Sequence, residues 1–199
     1  MKLPIDFYLR ADVVEIAKDL LGKTLVTNID HTYTSGMIVE TEAYCGSNDK
    51  ASHANNGKRT ARTEVAFGTG GVAYVYLCYG IHHLFNVVVN KQDKADVVLI
   101  RAIEPLEGNE TMALRRNMSA EKYQLTAGPG ALTQAMGIKT AMTGTSLLGD
   151  SIWIEDGGIA VANEKIKTGT RVGVGYAEED ALKPWRFSIR DNPWVSKAK

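Results

Sequence analysis

Cysteine is nearly missing from this chain: Cys45 and Cys78 are the only two in 199 residues, and no C-x-x-C links them. Neither a disulfide scaffold nor a cysteine zinc site is therefore expected, and a reducing compartment fits. Charge of one sign is missing too, since 23 Lys and Arg balance 23 Asp and Glu. No uniformly basic coat for nucleic acid exists, which leaves only local patches. No stretch approaches the roughly 18–20 apolar residues of a membrane span, and Met1–Leu21 lacks the apolar core of a signal peptide. The expectation is a cytoplasmic protein with no membrane partner. Metal-ligand patterns such as H-x-x-x-H, H-E-x-x-H or D-x-D do not occur, so neither a metal nor a cofactor is expected. Repeats and low-complexity tracts are absent as well. What remains, 44% hydrophobic and 23% charged, is ordinary for one soluble globular domain over residues 1–199.

The apolar pattern is mixed. Val13, Ile16, Ala17, Leu20 and Leu21 share one helical stripe between Asp12 and Gly22, which predicts a helix over 12–21. Residues 23–29 and 35–44 read as strands, as does 97–103. Residues 72–90 are aromatic and β-branched and read as a hairpin turning near Tyr79-Gly80. Residues 108–118 and 129–136 read as helices, the second with Pro129 at its first turn. Short strands are expected at 151–154, 171–174 and 186–189. Residues 45–71 are polar and Gly-rich and read as an ordered functional loop with one short helix. The elements do not alternate βαβ. They predict an α+β fold: a compact single domain with a mostly antiparallel sheet, a protruding β-hairpin and surrounding helices.

Chemistry concentrates in Ile38-Val39-Glu40-Thr41-Glu42-Ala43-Tyr44. On a strand, Glu40, Glu42 and Tyr44 project from one face. Two carboxylates and a phenol are poor core material. A carboxylate beside an aromatic wall suits acid–base work on a flat ring, while an exposed polar strand face is the bland alternative. His53 follows nine positions later, across a loop able to return it over that strand.

The hairpin carries Tyr74 and Tyr76 on one face and Tyr79 at its tip. Tyr74 reads as core. A tyrosine at an exposed tip is unfavourable unless it enters a partner or a nucleic-acid groove. Adjacent His82 and His83 point to opposite faces and make a poor chelating pair. Asn86 lies in an apolar strand and is either satisfied by backbone or lines a polar pocket. Arg101 sits similarly and needs an anionic partner, which Glu40, Glu42 or a phosphate can supply. Two local basic segments stand out, one with Lys50, Lys58, Arg59 and Arg62, the other with Lys183, Arg186, Arg190, Lys197 and Lys199. Solvated surface is the common meaning of such runs, and a polyanion footprint is the specific one.

Taken together and in order, Val39–Tyr44, Ala51–His53, Tyr74–Tyr76, Tyr79-Gly80, Asn86, Leu99–Gly108, Arg171–Gly175, Lys183-Pro184, Arg186-Phe187 and Pro193–Ser196 resemble the alkyladenine (3-methyladenine) DNA glycosylase family. The resemblance spans nearly the whole chain. It departs at Ala61, at Lys50 and at Ile81, where the family often has proline, proline and methionine.

The resemblance implies a base-excision-repair DNA glycosylase that flips alkylated or deaminated purines out of duplex DNA. Glu42 then matches the general base that activates water. Tyr44, His53, Tyr76, Asn86 and Leu99 match the base pocket, with Asn86 set against the exocyclic amine of guanine. Tyr79 matches the side chain that fills the vacated stack, and Arg101 an arginine on the flipped nucleotide's phosphate. Lys58, Arg59, Thr60 and Arg62 fall in the basic loop and are expected to contact DNA. The implied partner is double-stranded DNA containing a damaged purine, bound through the minor groove by a monomer associated with the nucleoid. No lysine lies in the Glu40–Tyr44 strand, so a Schiff-base lyase step is not expected and the product is an abasic site.

Three other functions compete. A non-catalytic nucleic-acid-binding module would bind damaged duplex without releasing base. A metal-dependent hydrolase built on His53 and Glu42 would lose activity to a chelator. A protein-interaction domain anchored by the Tyr79 hairpin leaves Glu42 and Arg101 unexplained.

Overall fold

The computed structural model describes residues 1–197, so Lys199 of the basic tail lies outside the described residues. The chain starts with a short helix, α1 (Ile5–Tyr8), and then α2 (Val13–Asp19), whose cap is Asp12. The Asp12 carboxylate accepts from the Val14 and Glu15 amides at 2.9 and 3.1 Å, which satisfies two of the free N–H groups of the first turn. Gly22 then takes a positive φ of 81° and releases the chain into the sheet.

The sheet has eight strands: β1 (Thr24–Ile29), β2 (Thr32–Cys45), β3 (Val72–Cys78), β4 (His82–Val89), β5 (Asp96–Glu107), β6 (Ile152–Glu155), β7 (Ile166–Gly169) and β8 (Arg186–Ile189). All pairings are antiparallel, in the order β3-β4-β5-β2-β1-β6. The fourteen-residue β2 is the axis. One of its edges pairs with β5; the other pairs with β1 in its first half and with β8 in its second. α3 (Asn109–Arg116) and α4 (Pro129–Met136) complete the helices.

One sheet face is apolar and packs on the helices. Ala73, Val75, Phe85, Val87, Val98, Ile100 and Ala43 join Ile16 and Ala17 of α2 and Leu132, Ala135 and Met136 of α4 in the main core. The other face carries Tyr74, Val88 and Val97 and is covered by Ala54, Ala66 and Phe67 of the long loop. The candidate site residues sit on this second face.

A bulge in β2 decides which residues reach it. Ile38 pairs with Ile103 and Glu40 with Ala102, so Val39 is an extra residue, and the register slips again before Thr41. Ile38 therefore joins the helix-side core while Glu40, two positions on, emerges on the opposite face.

Two expectations are corrected. Residues 171–174 are not a strand. Gly173 takes a φ of 73° and the Val172 amide donates to a side chain, so no ladder forms; the strand in this region is β7. The loop after β2 contains three short 3₁₀ turns, Gly46–Asn48, Asn55–Gly57 and Glu64–Phe67, in place of one helix.

Candidate active site

Register alone assembles the floor. Tyr74 pairs with Asn86, Asn86 with Leu99, Leu99 with Glu42 and Glu42 with Arg186. Directly opposed residues share a face, so five strands deliver one row of side chains to the same side. Above this row lies a cavity of about 520 Å³, walled by Tyr44, His53, Arg62, Tyr74, Tyr76, Asn86, Leu99, Arg101, Val172 and Tyr176 among others. That volume is within the roughly 300–1,000 Å³ of small-molecule sites.

Glu42 is completely buried and sits one layer beneath the cavity wall. Its three partners do line the cavity. The Val172 amide donates to Oε1 at 2.8 Å, and Arg101 Nη1 approaches the same oxygen at 3.2 Å. The Tyr44 hydroxyl donates to Oε2 at 2.8 Å. Burial raises the Glu42 pKa above the usual carboxylate value, against the lowering pull of Arg101 and the two hydrogen bonds. Burial and the neighbouring carboxylate push the Tyr44 phenol well up, so it remains a donor.

Arg101 finds both of its expected protein anions. Its Nε donates to Glu40 Oε1 at 3.0 Å while Nη1 reaches Glu42. Glu40 is also fully buried, and it takes Arg186 Nη1 at 3.2 Å and the Ser196 amide at 2.9 Å.

Two aromatic walls line the cavity. Tyr44 carries the Arg171 guanidinium over its ring at 4.7 Å. Arg171 is held by Asp49, by the Ala43 carbonyl at 2.9 Å and by the Asp180 carbonyl at 3.0 Å. The other wall is Tyr76, with His53 edge-on at 4.6 Å and Tyr74 tilted at 5.5 Å. His53 thus returns to the hairpin tyrosines rather than to Glu42. Its Nδ1 lies 3.1 Å from the Tyr74 hydroxyl and its Nε2 3.3 Å from Arg62. Partial desolvation beside these rings and the Arg62 cation lower its pKa to about 4, so the imidazole is neutral at physiological pH although the residue keeps an exposed edge. Arg62 itself lies over Tyr76 at 4.6 Å. Tyr74 is core, as its position suggests. Asn86 meets both of its alternatives: Nδ2 donates to the Tyr74 and Leu84 carbonyls at 3.1 and 3.4 Å, and the side chain lines the cavity.

At the cavity rim the hairpin ends in Tyr79 and Gly80, with φ of 50° and 73°, closed by the Ile81 amide donating to Cys78 at 3.1 Å. This left-handed turn matches the twist of paired strands. Tyr79 is 89% exposed, with Ile81 and Leu77 beside it. Lys58, Arg59, Thr60 and Arg62 form an exposed turn pinned by the Thr63 hydroxyl, which donates to the Lys58 carbonyl at 2.9 Å. Arg59 is paired with Asp93, and Lys50 with Glu178 and Glu179, so Lys58 and Arg62 are the cations of this segment without an acidic partner among the described residues.

Sequence reasoning missed Val172, Arg171 and Asp49. Arg171–Gly175 entered it only as a short strand and as part of a resemblance, because an amide donor has no side-chain signature. Among the described residues no three of His, Cys, Asp and Glu gather as a metal site, and no helix is long and apolar enough to cross a membrane.

Comparison with known proteins adds a family. The profile of the methylpurine-DNA glycosylase family matches residues 6–193. A protein of Natranaerobius thermophilus is 48% identical over 197 residues, covering 98% of this chain and 99% of its own length. One from Alkaliphilus oremlandii is 46% identical over 204 residues, covering 99% and 100%. One from Methanocella arvoryzae is 47% identical over 196 residues, covering 98% and 96%. All three carry the name "Putative 3-methyladenine DNA glycosylase".

Proposed function

The chain belongs to the methylpurine-DNA glycosylase family, and from that membership we propose how its own residues carry out base excision. It is a DNA N-glycosylase of the 3-methyladenine type, a hydrolase of base excision repair whose substrate is DNA.

The target is a damaged purine, alkylated or deaminated, turned out of the duplex into the cavity. Extrusion costs a few kcal/mol, least for a damaged pair. Stacking returns about 1–3 kcal/mol per base. Tyr44 supplies one stacking face, and Tyr76 with His53 the other. Tyr79 enters from the minor groove and fills the gap left in the stack, offsetting the unstacking loss. Asn86 and Leu99 meet the edge of the base on the floor. Lys58, Thr60 and Arg62 are exposed to approaching phosphates, and Arg62 also lines the cavity. Arg59 reaches them only by leaving Asp93. Arg101 presents its cavity-facing side toward the flipped nucleotide while its other nitrogens hold the carboxylates.

The chemistry then falls to Glu42. The carboxylate takes a proton from a water that lies between Arg101, Val172 and Tyr44. The oxygen bonds to the anomeric carbon as the C–N bond breaks, and that electron pair leaves with the base. The negative charge also stabilises the developing oxocarbenium. No lysine lines the cavity among the described residues, so no amine is placed to attack the sugar, and the product is an abasic site.

One observation carries this proposal. Glu42 is a buried carboxylate held by three donors that themselves line a cavity shared with Tyr74 and Tyr76. It is tested with single-lesion duplexes and Glu42→Gln. The variant is expected to bind damaged duplex while losing base release by about 10²-fold or more. Undiminished release would overturn it, as would a wild-type protein that binds damaged duplex and releases nothing.

A further inference from the structure

Glu40 touches no part of the cavity and plays no part in the steps above, yet it is a fully buried carboxylate with three donors on it. Oε1 accepts from Arg101 Nε at 3.0 Å and Arg186 Nη1 at 3.2 Å, and Oε2 accepts from the Ser196 amide at 2.9 Å. Arg101 Nη2 closes the ring by donating to the Ser196 hydroxyl at 3.4 Å. Burying a charge is unfavourable unless it is paired, and a buried pair replaced by apolar groups is often no less stable. Packing alone therefore does not explain a second carboxylate two residues from the first.

We propose that Glu40 is a positioning residue for the water-activating carboxylate: it anchors Arg101 from behind, so that the guanidinium is shared between two acids instead of neutralising Glu42 alone. The proposal rests on Glu42 being the base. Arg101 has to stay within reach of Glu42 without forming a full bidentate pair, because a carboxylate held that way is a poor proton acceptor. Glu40 takes Nε and leaves Nη1 for Glu42. The register slip between Glu40 and Thr41 leaves Arg101 unpaired on β5 between the partners of the two, within reach of both acids.

The groups facing Glu42 settle the sign. Glu40 and Tyr44 lie on its own strand, Arg101 on β5, Arg186 opposite it on β8, Tyr76 on the hairpin, and Arg171 with the Val172 amide on the covering segment. Glu40 is the carboxylate among them, and it opposes ionisation of Glu42.

The test is the pH dependence of single-turnover base release, with affinity for lesion duplex measured in parallel. Glu42→Gln is run first. If it still releases base, the assignment of Glu42 fails and the role of Glu40 with it. If it is inactive, Glu40→Gln is expected to move the acidic limb of the rate profile down by about one pH unit, the size of a typical neighbouring-charge effect. Its rate near neutral pH should fall several-fold, with affinity within about twofold of wild type, and Glu40→Asp should keep the limb. The charge-balanced double variant Glu40→Gln/Arg186→Gln covers failure of the single variant to fold. It should shift in the same direction, because Arg101 then passes wholly to Glu42. A wild-type limb in the folded variants overturns the proposal and leaves Glu42 standing. So does a loss of affinity with the rate unchanged.

Discussion

The Val172 amide donates to Glu42 Oε1 at 2.8 Å across 130 residues of sequence. Its neighbour Arg171 is locked to Asp49 by a two-pronged pair in which both side chains are fully buried. The ion pair therefore fixes the amide, and the amide fixes the carboxylate. Asp49 also accepts from the Cys45 and Ala51 amides, at 3.1 and 3.0 Å, and so ties the long loop to the same point.

Asp49→Ala is expected to destabilise the fold by about 3–5 kcal/mol, because it leaves the Arg171 cation buried without its partner. Chemical denaturation measures this. A loss below about 1 kcal/mol would mean that water enters and solvates Arg171.

Glu42→Gln should do the reverse. Burial raises the Glu42 pKa in the folded state, so ionising it costs folding free energy. Below the ordinary carboxylate pKa the group is neutral in both states and the cost vanishes. The cost appears as pH rises through that value and is complete above the raised one. The amide can keep the Val172 and Arg101 contacts through its oxygen and donate to Tyr44. The variant is thus expected to melt higher than wild type near neutral pH and to lose that advantage in acid. Thermal melts across pH decide it; a lower melting temperature at neutral pH would contradict the sign.

How much of this was legible follows from the range of each interaction. The α2 cap at Asp12, Pro129 opening α4 and the turn at Tyr79-Gly80 are written within a few residues, and each was readable. The alternation of Glu40, Glu42 and Tyr44 was readable for the same reason. The pairs that assemble the candidate site join residues 61 apart, Glu40 with Arg101, and 122 apart, Asp49 with Arg171. The first was readable as one of three possible anions for a buried arginine; nothing local marks the second. The valines of 171–174 even argued for a strand, and only the positive φ of Gly173 and the turn of the Val172 amide toward Glu42 show otherwise.

His53 should leave no mark on the pH profile. Its pKa is lowered to about 4 from the ordinary 6.5, so it stays neutral across the working range. Base release is expected to show no inflection near 6.5, and His53→Gln should lower the rate without altering the shape of the profile. An inflection near 6.5 that disappears in the variant would show that the imidazole ionises in the complex.

Phosphate contacts are readable from salt. Each contact contributes about 0.9 to the slope of log affinity against log salt. Lys58 has no acidic partner among the described residues, whereas Lys50 is held by Glu178 and Glu179 at 2.5 and 2.8 Å. Lys58→Ala should reduce the slope by about one contact and Lys50→Ala by none. Equal effects would place both lysines on the DNA.

Tyr79 sets stability against function. Its φ of 50° is the left-handed region, which costs an L-residue with a bulky side chain about 1–2 kcal/mol. At 89% exposure the ring recovers little of that from the rest of the molecule. Asparagine is favoured before glycine in such a turn. Tyr79→Asn is therefore expected to stabilise the protein, by about 0.5–1 kcal/mol relative to a strained tyrosine. The same change removes the proposed plug. Excision from duplex should fall by about tenfold or more, in line with about 1–3 kcal/mol of stacking per aromatic contact. Excision from a single strand, where no gap opens in a stack, should change much less. Equal losses on both substrates would mean that Tyr79 contributes general affinity and fills no vacated position.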